Sequence, residues 1–449
     1  MAGVNGNGSL SGPTTRQSTG KAIGLALAGG GPGGAIYEIG ALRALEEVLE
    51  GASLNDLDIY VGVSAGAFVG ANLANQLTPS QMCRAIIKSE PGEHPFTPET
   101  FFTPAVGELL RRTLMVPGLF SEALVDYFRE PGEITLRESL TRLARALPTA
   151  VFDNEPIRGY LENIYSLKGR TDDFRQLGRR LYVVASDLDS GEAVRFGDEG
   201  LEHVPISKAV QASSALPGLY PPVEIDGRYY VDGVLLKTLH ASVALEKGAQ
   251  LVLCINPIVP VDTVSAVERG IMRRGKLIDR GLPTVLSQTF RTLIHSRLEA
   301  GMARYEGRFK GADIVLLEPK RDDYRMFFRN IFSFRGRREL CEHAYESTRR
   351  QLLERYEELQ PVLERHGVGL NREVLEDESR TLWPGVGLPE HPTLSAAKAA
   401  AHKALPAPPA VPHREPRPAA ARSEASPQVV HDLDHLLQRL ENLVETTTH

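Results

Sequence analysis

Short apolar runs alternate with helical patterns between Lys21 and Pro319, and this alternation limits the folds open to the chain. Five runs are predicted to be buried strands because they are short and continuously apolar: residues 22–28, 58–63, 180–186, 250–256 and 313–319. Between the first two, apolar residues recur at every third position, as in an amphipathic helix: Ile36, Ile39, Leu42 and Leu45. A strand, a helix and a second strand of these lengths predict a parallel sheet covered on both faces. We therefore expect one α/β domain over residues 21–320.

Composition divides the rest of the chain. Residues 1–20 are polar and lack an apolar core, which predicts a disordered leader and not a Sec signal peptide. Residues 79–175 have a helical pattern broken by prolines and predict a helical insertion, either a cap over the site or extra helices on the core. Residues 321–384 combine a basic, aromatic segment with C-terminal helices. A Pro/Ala-rich linker is predicted for 385–428, and an amphipathic terminal helix for 429–445, the two forming a flexible tail.

Charge and cysteine content exclude some classes of protein. The 51 basic and 57 acidic residues give a net charge of −6, which argues against general nucleic-acid binding. Three scattered cysteines fit neither a disulfide framework nor a metal knuckle, and Cys254 is expected in a buried strand. No apolar run reaches the length of a membrane span. These features predict a reducing, cytoplasmic location, with secretion through an unstructured leader as the alternative.

Ser64 lies in a G-x-S-x-G frame between Gly62 and Gly66. The pattern is common by chance, but here a predicted strand precedes it and a helix pattern of small residues follows it. A serine on such a strand-to-helix turn is the setting of a nucleophile elbow. At the N-terminus of the helix, backbone amides favour a developing negative charge. The alternative is a tight turn with a capping serine.

The glycine loop from Gly29 to Gly34 follows the first strand and opens the first helix. Its G-x-G-x-x-G spacing is also that of a dinucleotide site, and an anion-binding loop for phosphate is the main alternative. A dinucleotide site needs an acidic residue near the end of the second strand, where this chain has Ser64. Both loops follow neighbouring strands, and amides such as those of Gly30 and Gly31 could donate to an oxyanion.

Asp232 follows the apolar, aromatic run RYYV and precedes Gly233. On its own, an aspartate in this position is more often a turn former. A serine triad needs a histidine, and His203 and His240 are the nearest candidates, neither of them in an obvious strand-end loop. A carboxylate held close to the serine can itself act as the base.

Together these three signatures resemble those of the patatin-like phospholipases. That family has, in this order, a G-G-G-x-x-G oxyanion loop, a G-x-S-x-G elbow and an aspartate followed by glycine and then glycine or alanine. The chain has GGGPGG at 29–34, GVSAG at 62–66 and DGV at 232–234. Connecting stretches such as IGALRALEE and SSALPGLYPPVEIDGRYYVDG also resemble the family. The resemblance covers about residues 21–320.

The resemblance implies a three-layer α/β/α fold with a mostly parallel central sheet and a Ser–Asp dyad. It further implies an enzyme that hydrolyses ester bonds of phospholipids or related acyl lipids, without a cofactor or metal. The residues carried over are the nucleophile Ser64, the general base Asp232, the oxyanion-loop residues Gly29, Gly30, Gly31 and Gly34, the elbow glycines Gly62 and Gly66, and the aspartate-motif residues Gly233 and Val234.

Two positions depart from the family pattern. Many members carry arginine or lysine where this chain has Gly33, so a charge near the oxyanion loop is missing. Val234 takes the place of the usual glycine or alanine, and its larger side chain is expected to narrow the turn. Neither change removes a reacting group, but both bear on rate and substrate preference.

Residues 324–338 carry five arginines, five aromatic residues and no acid. This composition suits a peripheral contact with anionic headgroups, in which Arg335, Arg337 and Arg338 would take part. The alternative is an ordinary helix end with solvated charges. The terminal helix at 429–445 is expected to dock on a protein, either a partner or this chain's own core.

Three other functions stay open on the sequence alone. The first is a catalytically weak scaffold that binds lipid or protein through its tail. The second is a hydrolase of neutral lipids or other carboxylic esters. The third is an α/β-hydrolase that uses Ser64 with His240, which is disfavoured because only 63 residues precede the elbow serine.

Overall fold

The computed structural model describes residues 21–87, 101–106, 149–270, 277–323 and 334–387. The predicted leader and terminal helix lie outside these ranges. So do nearly all of the predicted linker, most of the predicted insertion at 79–175 and most of the basic, aromatic segment at 324–338.

The strands form one main sheet and two small ones. The twelve described strands are β1 (Ala22–Leu27), β2 (Leu49–Glu50), β3 (Ile59–Val63), β4 (Thr103–Pro104), β5 (Phe152–Asp153), β6 (Arg180–Asp187), β7 (Ala193–Phe196), β8 (Val223–Ile225), β9 (Arg228–Asp232), β10 (Ala249–Ile255), β11 (Asp313–Leu317) and β12 (Gly369–Leu370). The main sheet has the order β11-β10-β1-β3-β6-β9-β8, with β7 paired to β6. Strands β11, β10, β1, β3 and β6 are parallel, whereas β7, β8 and β9 pair antiparallel.

Helices connect the parallel strands, as the alternating pattern predicts. Those described are α1 (Gly31–Val48), α2 (Ala65–Ala74), α3 (Pro79–Ile87), α4 (Glu155–Tyr165), α5 (Ile206–Ser213), α6 (Ala241–Glu246), α7 (Val264–Glu268), α8 (Leu282–Arg308), α9 (Phe334–Glu354), α10 (Tyr356–Glu364), α11 (Arg372–Glu376) and α12 (Leu382–Gly385). Of the predicted insertion, residues 79–87, 101–106 and 149–175 are described, and they contain α3, α4 and the β4–β5 pair.

The sheet is covered on both faces, which confirms the predicted three-layer α/β/α architecture. Alternate residues of a strand face opposite layers. In β1, Leu25 joins the core formed with α1, α2, α5 and α9, and Ala26 joins the core formed with α6 and α8. Cys254 is fully buried in β10, as predicted. The near-continuous apolar character of the parallel strands follows from this double burial.

Strand register places three chain segments at one edge of the sheet. The parallel strands all end at this edge, called here the carboxyl edge. Leu27 pairs with Gly62, and Val63 pairs with Val184. On the antiparallel side Ala185 pairs with Asp232. The chain segments following β1 and β3 therefore lie at the same level as the end of β9.

Candidate active site

Ser64 occupies the sharp turn between β3 and α2. Its backbone has φ 53° and ψ −119°, a conformation that costs a residue with a Cβ of order 1–3 kcal/mol. The turn is held because the Gly66 amide donates to the Ala28 carbonyl at 3.0 Å, which ties the start of α2 to the end of β1. Ser64 is 7% exposed. The strained turn thus presents the serine at the carboxyl edge, as in a nucleophile elbow.

The two glycines of the elbow are required by close backbone approach. A Cβ on Gly62 would overlap the carbonyl of Gly66 and the backbone of Ala67. A Cβ on Gly66 would overlap the backbone of Leu27. Since backbone atoms cannot give way as a flexible side chain can, β1, β3 and α2 can meet this tightly only without side chains at these positions.

Ser213 fixes the backbone of the elbow from the end of α5. The Ser64 amide donates to Ser213 Oγ at 2.8 Å, and Ser213 Oγ donates to the Val184 carbonyl at 2.6 Å. Two residues further on, the Ala215 carbonyl accepts from the Asp232 amide at 3.0 Å. One short segment therefore positions both Ser64 and Asp232. The role of Ser213 was not predicted from the sequence, although the residue falls in the SSALPG stretch that carries part of the family resemblance.

The structure brings the side chains of Ser64 and Asp232 together. The carboxylate of Asp232 is 2% exposed and accepts the Val234 amide at 2.9 Å, and the Ser64 hydroxyl lies close enough to favour its ionised form. Burial raises the pKa of Asp232 to about 7, although the Val234 amide and the Ser64 hydroxyl both act to lower it. A carboxylate with this pKa is half ionised near neutral pH and can accept a proton there.

Some backbone amides of the glycine loop make hydrogen bonds within the fold, and others do not. The Gly29 amide donates to the Thr238 carbonyl at 3.3 Å, and the Gly34 amide donates to the Gly30 carbonyl at 3.0 Å. For the amides of Gly30 and Gly31, the described part of the chain provides no acceptor. Gly30 precedes α1 and Gly31 is its first residue, so both amides lie at the N-terminal end of the helix, which carries partial positive charge. Of the four predicted loop residues, Gly30 and Gly31 are thus the ones able to bind an anion.

The aspartate motif packs directly against this loop. A Cβ added to Gly29 would lie 3.1 Å from Cγ2 of Val234 and 3.4 Å from the Cβ of Ser64. Val234 therefore packs closely beside Gly29 and the elbow serine. Gly233 is equally constrained, because a Cβ there would lie 2.5 Å from the Val184 carbonyl oxygen.

Neither histidine considered from the sequence occupies the position of a base. His203 is exposed and pairs with Asp226 at 2.9 Å. His240 is 4% exposed at the start of α6, and burial lowers its pKa to about 4. The carboxylate that interacts with the Ser64 hydroxyl is that of Asp232.

Two arginines of the predicted lipid-contact segment are buried. Arg337 and Arg338 are 5% and 7% exposed within α9, and the guanidinium of Arg338 lies 3.8 Å from the ring centroid of Trp383. These two side chains are therefore packed in the fold, contrary to their expected role at a lipid surface. The side chain of Arg335 and residues 324–333 are outside the described part.

A cavity of about 480 Å³ opens away from this site, beside Asp58, Arg179 and Arg180. Asp58 and Arg180 lie at the opposite end of the parallel strands, and the lining includes neither Ser64 nor Asp232. Its arginines already have partners: Arg179 pairs with Asp56, and Arg180 donates to the Lys247 carbonyl. The reactive groups are therefore at the carboxyl edge and not in this cavity.

Fold and site together define a three-layer α/β protein with a serine on a strand-to-helix elbow beside a buried aspartate. Residues 25–245 match the family model for patatin-like phospholipase. This match confirms, over residues 25–245, the resemblance inferred from the motifs.

Relatives share this region at low identity. An uncharacterized NTE family protein of Mycobacterium tuberculosis is 23% identical over 247 residues, 55% of this chain and 32% of that protein. Patatin-like phospholipase domain-containing protein 7 of the mouse is 26% identical over 243 residues, 54% of this chain and 14% of that protein. The matches thus span about a third and a seventh of those relatives. Among solved structures, VipD from Legionella pneumophila has a TM-score of 0.36 and 16% identity, covering 74% of this chain and 66% of that one.

None of the helices within the described ranges combines the length and the hydropathy needed to cross a bilayer.

Proposed function

We propose that this chain is a lipid acyl hydrolase that cleaves ester bonds of phospholipids or related acyl lipids through Ser64 and Asp232. The observation that carries the proposal is the placement of the Ser64 hydroxyl beside a buried carboxylate whose pKa is raised to about 7. The amides of Gly30 and Gly31 at the N-terminal end of α1 supply the complementary oxyanion donors. The match to a family described as patatin-like phospholipase supports the choice of a lipid substrate.

The first half of the reaction forms an acyl-enzyme. Ionised Asp232 accepts the hydroxyl proton as Ser64 Oγ forms a bond to the ester carbonyl carbon, and the carbonyl oxygen becomes an oxyanion. Amides at Gly30 and Gly31 stabilise that charge. The carbon–oxygen bond to the alcohol or lysolipid then breaks, and Asp232 returns its proton to the leaving oxygen.

The second half restores the enzyme. Asp232, ionised again, takes a proton from a water molecule whose oxygen attacks the acyl carbon. The tetrahedral intermediate uses the same amide donors, and its collapse releases the fatty acid and returns the proton to Ser64 Oγ. Two steps of similar chemistry therefore share one base, which is in reach of the serine without a histidine.

The test is hydrolysis of a soluble short-chain nitrophenyl ester and of a phospholipid panel by wild type and Ser64→Ala. We expect Ser64→Ala to lose on the order of a thousandfold or more in kcat for both, because the nucleophile is gone. The matched control is Ser166→Ala, an exposed serine that bonds only to its own helix in the described contacts. A fluorophosphonate probe should label the wild type and not Ser64→Ala.

The results also separate the competing functions. Hydrolysis of the nitrophenyl ester with no phospholipid turnover would assign another class of carboxylic ester. No hydrolysis and no labelling in the folded wild type, judged by circular dichroism, would favour a binding scaffold. Full activity in Ser64→Ala would refute the proposal.

A further inference from the structure

The longest described helix, α8, runs past the candidate site. It has 27 residues and is about 40 Å long, whereas the parallel strands span roughly 15–25 Å. At its C-terminal end Arg308 pairs with Glu246, just before β10 begins. Further up, Arg297 donates to the Leu235 carbonyl at 2.8 Å, three residues after Asp232. The first half of α8 therefore lies at the carboxyl edge and beyond it.

This first half carries an apolar stripe that is exposed. Its members are 40–68% exposed and lie at helical spacing: Leu282, Val285, Leu286, Phe290 and Leu293. Single exposed apolar residues are ordinary, but five on one face of one helix are not. Exposed residues with hydroxyl groups lie among and beside them: Ser287, Thr289, Thr292 and Ser296.

The apolar stripe is not a continuation of the core seam. In its second half α8 packs on the sheet through Leu298 and Tyr305, with Ile294 and Met302 partly buried beside them. At 100° per residue, that seam and the apolar stripe point about 140° apart. Packing against the protein's own sheet therefore accounts for the second half of the helix and leaves the stripe unexplained.

The first half of α8 is also anchored so that the stripe faces outward. Gln288 donates to the Val261 carbonyl at 2.9 Å and accepts the Val261 amide at 3.1 Å. Arg291 donates to the Val259 carbonyl at 3.4 Å. These bonds fix the opposite side of the helix to the chain that follows β10, at the carboxyl edge.

Charge around the apolar stripe favours one kind of partner. From Arg280 to Leu298 the sequence contains no aspartate or glutamate. Within α8 this stretch contains two arginines, Arg291 and Arg297. Exposed apolar side chains with interspersed hydroxyls, on a stretch of helix that carries arginines and no carboxylates, match the surface of a bilayer that contains anionic phospholipids.

We propose that the apolar stripe of α8 docks this protein on an anionic phospholipid surface and so presents the carboxyl edge to its substrate. The inference rests on the proposed function, because it assigns the lipid surface from which that site would draw its ester. It moves the expected lipid contact from residues 324–338 to a different helix.

The experiment measures vesicle sedimentation and hydrolysis for Leu286→Asp and Phe290→Asp in the full chain. Vesicles are phosphatidylcholine with and without phosphatidylserine, and the Ser64→Ala background keeps them intact during binding. Each variant should lower binding to the phosphatidylserine vesicles by about tenfold or more, since a charge replaces an inserted apolar group. In proteins that retain Ser64, each variant should lower vesicle hydrolysis by a similar factor. Hydrolysis of the soluble nitrophenyl ester should stay within about twofold of the wild-type rate.

The matched control is Leu167→Asp, which changes a leucine that is 39% exposed just after α4 and should alter neither reading. Unchanged vesicle binding in both α8 variants would overturn the inference. So would a wild-type dimer, seen by analytical ultracentrifugation, that the variants dissociate without losing vesicle binding, because a second copy would then cover the stripe. Failure of the proposed function looks different: soluble ester hydrolysis would survive in Ser64→Ala, whatever the vesicles show.

Discussion

Replacing Asp232 with asparagine should stabilise the folded protein, and by an amount that depends on pH. The carboxyl is buried and its pKa is raised from 3.8 to about 7. Because the folded state favours the protonated form, this group's contribution to stability is fully present below pH 3.8 and is lost as pH rises through about 7. Asparagine does not titrate, and its amide oxygen can still accept the Val234 amide.

The magnitude follows from the two pKa values. A pKa difference of about three, at ~1.4 kcal/mol for each, corresponds to about 4 kcal/mol above pH 7. The advantage of Asp232→Asn over wild type should thus grow by ~1.4 kcal/mol per pH unit between about pH 4 and pH 7, and then level off. Activity should be lost at the same time, a trade-off common at strained or desolvated sites.

The assay is urea unfolding of wild type and Asp232→Asn from pH 4 to pH 9, followed by circular dichroism. Taking the difference between the two proteins cancels titrations that they share. Asp189→Asn, an exposed aspartate in the loop after β6, serves as the control and should differ little from wild type at any pH. A difference that is independent of pH, or that shrinks as pH rises, would refute the reasoning that burial raises the pKa of Asp232.

Three further predictions address the same site. The kcat/KM for a soluble ester should rise with pH around an apparent pKa of about 7, because Asp232 must be ionised to accept a proton, and a flat profile from pH 5 to pH 9 would contradict this. Ser213→Ala should lower kcat by about tenfold or more with little change in KM, since it removes the acceptor for the Ser64 amide, and rescue by Ser213→Thr would show that the hydroxyl is what matters. Gly66→Ala should prevent folding, or lower the free energy of unfolding by more than ~3 kcal/mol in thermal or urea unfolding, because its Cβ meets the backbone of β1. Gly159→Ala, in α4 with open space around it, should instead raise the free energy of unfolding by about 0.5–1 kcal/mol. Equal effects of the two substitutions would contradict the close-approach argument.

Much of the sheet could be predicted from the sequence because its strands are buried on both faces. The runs at 22–28 and 250–256 are continuously apolar, so length and flanking residues identify them without knowledge of the fold. The antiparallel strands are harder to predict from the sequence. Strand β9 begins at the exposed, polar Arg228 and ends at the buried Asp232, so it has no uniform apolar pattern. Its pairing with β6 is fixed only by the tertiary structure.

The residues of the site also differ in how far the sequence could predict them. Ser64, Asp232 and the glycine loop could be named because motifs keep them together in sequence. The role of Ser213 could not, since its bond to the Ser64 amide joins residues 149 positions apart. Nor could the sequence tell that the Gly29 amide is used by Thr238 while the neighbouring amides keep no acceptor in the described chain. Such assignments need the register of strands and loops that only the folded structure provides.

Burial accounts for why an aspartate could replace a histidine as the base. Removing a carboxylate from water disfavours its charged form and raises its pKa, whereas removing an imidazole from water disfavours its charged form and lowers its pKa. Both changes are present here, with Asp232 raised to about 7 and His240 lowered to about 4. The buried aspartate thereby reaches the range in which an exposed histidine normally titrates, while the buried histidine becomes too weak a base for neutral pH. The raised pKa of Asp232 lowers the free energy of unfolding of the wild type, and this loss is complete above pH 7. The Asp232→Asn variant would make that loss measurable.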